Sequence, residues 1–140
     1  MGKIISYSEF KSNVDIDVSA LIVYCCKCEM LNDVPISINK MLAEKLVCCK
    51  VNRRTMRIDR FFNEILETLP VGSIIKEFDV MFNPQYKVDV LRIMELACKR
   101  RNYSIVWPGI LKGNNLVYAD YGYQDYKSYN ITDYNVICVI

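Results

Sequence analysis

Cysteine is the reactive side chain most heavily used here: seven occur in 140 residues, and there is no histidine. Cys25, Cys26 and Cys28 form a tight group, Cys48 and Cys49 a pair, and Cys98 and Cys138 stand alone. Cys25-x-x-Cys28 is half of a tetrahedral zinc site. The other half would be a second cysteine knuckle or histidines, and Cys48-Cys49 does not have that spacing. An odd count without a secretion signal argues against a disulfide framework. The cysteines are therefore expected to be reduced, metal-free and mostly small buried apolar residues, with a redox or metal switch at Cys25-x-x-Cys28 as the weaker alternative. The lack of histidine also removes His-based triads, imidazole acid–base catalysis and a Cys–His nucleophile.

The carboxylates Glu77, Asp79, Asp89, Asp120 and Asp125 form no recognisable catalytic pair and are expected to be solvated. A phosphate loop needs glycines, so that backbone N–H groups can wrap the phosphates, and a Lys-Ser/Thr pair for phosphate and magnesium. The candidate position, Cys25 to Asp33, has neither. Lys27 alone could touch a phosphate there. No cofactor is expected.

Two basic groups stand out. One is Asn52-Arg53-Arg54 with Arg57 and Arg60; the other is Lys99-Arg100-Arg101. If the two converge, then with Trp107 and the tyrosines between Tyr118 and Tyr134, notably Tyr121, Tyr123 and Tyr126, they would form a cationic, aromatic surface. Basic residues bind phosphates and tyrosines stack on bases. Arginine and tyrosine are also enriched at the centres of protein interfaces. A net charge of +2 favours a protein partner over nucleic acid. The plainer alternative is that the arginines are solvated helix ends and the tyrosines pack the edge of a hairpin.

The elements that would position these residues follow from periodicity. Residues 6–13 suit a short entry helix capped by Ser6 or Ser8. Ala20 to Cys26, apolar on both faces, reads as a buried parallel strand. Ser37 suits a cap for a helix whose face is Ile38, Met41, Leu42 and Leu46. Thr55 suits a cap for a stronger helix striped by Ile58, Phe61, Phe62, Ile65, Leu66 and Leu69, ended by Pro70 and Gly72. Ser73 to Phe82 reads as a strand and the segment leaving it. A helix carrying Val88, Leu91, Met94 (or Leu96) and Cys98 follows, then a strand from Tyr103 to Trp107 stopped by Pro108-Gly109. Lys112-Gly-Asn-Asn115 is a hairpin signal, and Asn135 to Ile140 a last strand.

This order predicts one α/β domain over residues 1–140, with a mostly parallel sheet flanked by helices in three layers and a C-terminal hairpin. Fifty-two per cent apolar and 24% charged residues fit a globular chain. No signal peptide or membrane-length apolar run appears, so a cytoplasmic location without membrane contact is expected.

From Ile38 onward the order of short patterns resembles BrxF, the small P-loop protein of BREX (bacteriophage exclusion) defence islands. The stretches are Ile38 to Leu46, Asn52-Arg-Arg-Thr-Met-Arg57, Val80 to Leu91, Val106-Trp-Pro-Gly109, Leu116-Val-Tyr-Ala119 and Tyr121-Gly-Tyr-Gln-Asp-Tyr126. The resemblance covers about two-thirds of the chain and implies a P-loop NTPase-like (Rossmann-like) scaffold in bacterial anti-phage defence. Two of the family's features are missing. The glycine loop is absent, and the acidic Walker B position falls on Lys76, which cannot hold magnesium, with Glu77 beside it. The expected function is therefore a non-catalytic interaction subunit whose partners are other proteins of a defence complex, contacted through Arg53, Arg54, Arg57, Arg100, Arg101, Trp107, Tyr121, Tyr123 and Tyr126. The alternatives are an ATPase with a divergent phosphate loop, in which Lys27 and Glu77 would meet the nucleotide, and a nucleic-acid-binding accessory protein.

Overall fold

The computed structural model describes residues 2–12, 19–26, 31 and 33–140. The elements are β1 (Lys3–Ile5), α1 (Tyr7–Lys11), β2 (Leu21–Tyr24), β3 (Ile36–Ser37), α2 (Asn39–Val47), α3 (Arg54–Thr68), β4 (Ile74–Lys76), α4 (Val90–Cys98), β5 (Ser104–Val106), β6 (Ile110–Lys112), β7 (Asn115–Tyr118), β8 (Lys127–Asn130) and β9 (Val136–Val139). Six strands form one sheet in the order β1-β9-β2-β5-β4-β3, with every pair parallel. The other three form an antiparallel sheet, β6-β7-β8.

Strand periodicity divides the core in two. Successive side chains of a strand point to opposite faces. Leu21, Val23, Ile75, Ile105, Val136 and Cys138 join the larger core beneath the helices, with Leu42, Ile58, Phe62, Leu91 and Met94. Their neighbours Tyr24, Ile74, Ile137 and Val139 line the other face, where Tyr7 and Phe10 of α1 pack. This is the layered α/β arrangement that the runs of buried β-branched residues require.

Helix ends follow local chemistry. Ser6 caps α1 by accepting from the Glu9 N–H at 3.2 Å, and Asp89 caps α4 by accepting from the Arg92 N–H at 2.9 Å. Two expected caps are corrected. Ser37 ends β3, and its hydroxyl donates to Glu77 rather than capping α2. Thr55 lies inside α3, which starts after a short 3-10 turn at Val51–Arg53 without a side-chain cap. The stripe on α3 is as expected: Ile58, Phe62, Ile65 and Leu66 are buried, and Phe61 and Leu69 are half-buried against the core.

The hairpin forms at Lys112–Asn115, with Gly113 in the left-handed region its turn needs. It is fastened by the carbonyl of Val117, which accepts from Trp107 Nε1 at 3.0 Å. A side chain at Gly109 would collide with the same oxygen, so only glycine allows the approach. Trp107-Pro-Gly109 is thus the joint between the two sheets.

Candidate functional site

In an open parallel sheet, ligands bind outside the carboxyl ends of the strands. Here β2 leads to Cys25 and Cys26, β3 ends in Ser37, β4 ends in Lys76 and leads to Glu77, and β5 leads to Trp107. Ser37, Lys76 and Glu77 are engaged with one another. The Ser37 hydroxyl donates to Glu77 Oε2 at 2.9 Å, and Lys76 Nζ lies 3.4 Å from Glu77 Oε1. Glu77 takes a left-handed backbone, with φ of 53°. That conformation is costly for a residue with a Cβ and persists only where its surroundings fix it.

A second carboxylate is held alongside. Asn39, in the first turn of α2, donates to Asp79 Oδ1 at 3.3 Å and accepts from the Val80 N–H at 3.1 Å. Tyr118 donates to Asp79 Oδ2 at 2.9 Å, and its ring stacks on Phe82 at 3.8 Å between centroids. Burial, then the bond to Asp79, pushes the Tyr118 phenol up. Glu77 and Asp79 are exposed, as expected of solvated carboxylates, and each is also bonded to a side chain of another element.

Cys25 lies against Cys138. Hydrogen bonding with that thiol, then burial, pushes the Cys25 thiol well up, so it is protonated rather than a thiolate nucleophile. Burial also raises Cys98. Among the described residues no three cysteine or carboxylate side chains are grouped to hold a metal. Lys27 and Cys28 lie outside the described residues.

The arginines divide. The expected convergence of the two basic groups does not occur: Arg53 precedes the first residue of α3, whereas Arg101 Nη2 donates to the Leu69 carbonyl just past its last, at 2.6 Å. Fifteen helical residues, about 22 Å, separate them. Arg101 is a half-buried strut that ties the end of α3 to the segment after α4; Arg100 beside it is exposed. Arg54 is also internal, with Nε donating to the Cys49 carbonyl at 3.3 Å. Trp107, expected on the surface, is 4% exposed. Its ring meets Phe78, Phe82 and Tyr129, because its indole N–H has a buried acceptor at Val117.

Arg53 and Arg57 open instead onto a groove of about 730 Å³ between α2 and α3. Met41, Phe61 and Ile65 give it an apolar lining, and Glu44, Lys45, Cys48 and Lys50 also line it. Lys45 is paired with Glu64 at 3.1 Å. Lys50, Arg53 and Arg57 have no carboxylate partner among the described residues. Lys45, Lys50 and Phe61 were not singled out from sequence as part of this site; the alternation of basic and apolar residues from Lys45 to Phe61 was the available signal.

The remaining tyrosines lie on the link between β7 and β8. Tyr121 and Tyr123 are 88% and 67% exposed, and Tyr126 contacts Tyr121 edge to face. Tyr129 and Tyr134 are buried. No helix among the described residues is long and apolar enough to cross a membrane. Comparison with family models, curated proteins and solved structures gives no match to the chain.

Proposed function

We propose that this chain is a non-catalytic interaction subunit of a bacterial BREX-type anti-phage system, built on a P-loop-derived scaffold and acting in the cytoplasm. The BrxF-like patterns supply the system, and the parallel sheet is compatible with such a scaffold. The observation that carries the non-catalytic reading is the Lys76–Glu77–Ser37 cluster. At the strand end where a phosphoryl-transfer site needs an acid for magnesium, an ammonium group is ion-paired to the neighbouring carboxylate, whose other oxygen is also bonded. Contact with a partner protein falls to the groove at Arg53 and Arg57 and to the exposed Tyr121 and Tyr123. Cations beside an apolar lining, and tyrosines projecting from a short loop, are the compositions that dominate protein interfaces.

The test has two arms. Calorimetry with magnesium-ATP should give no heat of binding; low-micromolar affinity lost on Lys27→Ala would restore the nucleotide-dependent alternative. In a host carrying the whole defence island, Arg53→Ala with Arg57→Ala should lower phage resistance while leaving the melting temperature unchanged. Full protection by that variant would remove the groove from the function.

A further inference from the structure

The groove and the tyrosine loop have opposite character. The groove is lined by Lys45, Lys50, Arg53 and Arg57 against one carboxylate, Glu44. Lys50, Arg53 and Arg57 have no ion-pair partner among the described residues, and Val47 at the end of α2 and Val51 in the turn to α3 are exposed. Unpaired cations beside the apolar side chains of Met41, Phe61 and Ile65 mark a surface that is covered in use. The loop at residues 119–126 carries Asp120 and Asp125 and no basic residue. It presents Tyr121 and Tyr123 to solvent. Its shape is already set: Ala119 and Gly122 have positive φ, and the N–H groups of Tyr123 and Tyr126 donate to the carbonyls of Asp120 and Tyr123. Docking such a loop loses little conformational entropy. Among the described residues, no hydrogen bond or ion pair joins this loop to α2 or α3 of the same molecule.

Resting on the reading of these two surfaces as contact sites, we propose that the occupant of the groove is the 119–126 loop of a second copy of this chain. Tyr121 and Tyr123 would cover Phe61 and Met41, and Asp120 and Asp125 would face Arg53, Arg57 and Lys50. The match is of charge with charge and of aromatic with apolar surface. The two patches differ, so the contact is heterologous: each copy keeps a free groove at one end and a free loop at the other, and assembly proceeds head to tail into a ring or a filament. A nucleic-acid strand fits the groove less well. Its apolar lining is largely aliphatic, and the chain has too little net positive charge to hold a polyanion at physiological salt.

Sedimentation of the purified full chain, from micromolar to millimolar concentration, tests this. The parent should associate beyond a dimer or close into a ring, and raised salt should weaken the association. Arg53→Ala with Arg57→Ala, and separately Tyr121→Ser with Tyr123→Ser, should each lower the association constant at least about tenfold while keeping the parent's melting temperature. Mixed in equal amounts, the two variants should form a heterodimer and nothing larger, because one intact loop meets one intact groove. A parent that stays monomeric throughout overturns the proposal, as does a mixture that forms no heterodimer. Binding of a labelled single-stranded oligonucleotide that is lost with the arginines, without self-association, would also overturn it and make the groove a nucleic-acid site. A monomeric parent whose arginine variant still loses phage protection would leave the interaction-subunit reading standing; a monomeric parent whose variant protects fully would remove both.

Discussion

The backbone N–H of Asn135 donates to the carboxylate of Glu95, a buried acid on α4. The other oxygen of Glu95 takes Arg92 Nη1 at 2.5 Å. Arg92 in turn lies over the Tyr134 ring and donates to the Asp133 carbonyl at 3.0 Å. One carboxylate thereby fixes the entry to β9 against α4. Glu95→Ala should cost about 2–3 kcal/mol, since it strands a peptide N–H that had a charged acceptor. Glu95→Gln, which keeps an oxygen for Asn135, should cost less. Denaturant midpoints at neutral pH measure both.

Phe62 is fully buried in α3. Phe62→Ala should lower stability by about 3–5 kcal/mol. Glu67→Ala, on the exposed face, should change it by about 0.5 kcal/mol or less. Thermal melts of the pair check the helix phase; equal losses would mean that the stripe is misassigned.

Arg101 and Arg100 are neighbours with different work. Arg101→Ala should cost about 1.5–3 kcal/mol, because the Leu69 carbonyl loses a charged donor. Arg100→Ala should be near neutral. Melting the two single variants separately resolves a strut from a solvated charge.

Five phenols give the fold an alkaline limit. Burial raises Tyr24, Tyr103, Tyr118, Tyr129 and Tyr134 above their ordinary value, Tyr129 to about 12. The folded chain therefore holds these protons more tightly than the unfolded chain. The stability that these phenols contribute is fully present below about pH 10, where unfolded tyrosine titrates, and is lost as pH rises toward the folded values. Melts across this range should fall steeply. Tyr129→Phe should flatten the fall, and a profile as steep as the parent's would exclude Tyr129 as a contributor.

The central strands and the α3 stripe were legible because burial on both faces, or on one helical face, leaves a dense apolar pattern. Three strands were not. Lys3–Ile5 and Ile36–Ser37 lie at the sheet edges. Lys127-Ser128-Tyr129-Asn130 buries one side chain of four. Short half-exposed strands carry too few apolar residues to show a period. The site was legible as residue types and not as placement. Arginine at a helix end reads the same whether it meets water, as Arg100 does, or a carbonyl on another helix, as Arg101 does. Tryptophan suits an interface and a core equally; only the oxygen of Val117, ten residues on, assigns Trp107 to the core. Ser37 has the chemistry of a cap, but Glu77 from β4 takes its hydroxyl. Each of these depends on a partner distant in sequence, which local pattern does not contain.

β9 lies between β1 and β2, and Lys3 finds its register with Ile137. During synthesis, β2, β5, β4 and β3 can pair as soon as residue 106 has emerged, but β1 has no neighbour until residues 136–139 follow. β1 must wait for β9, with its edge open to other chains in the interval. A nascent chain stalled anywhere between the hairpin and Val136 would hold a four-stranded sheet with the β2 edge bare.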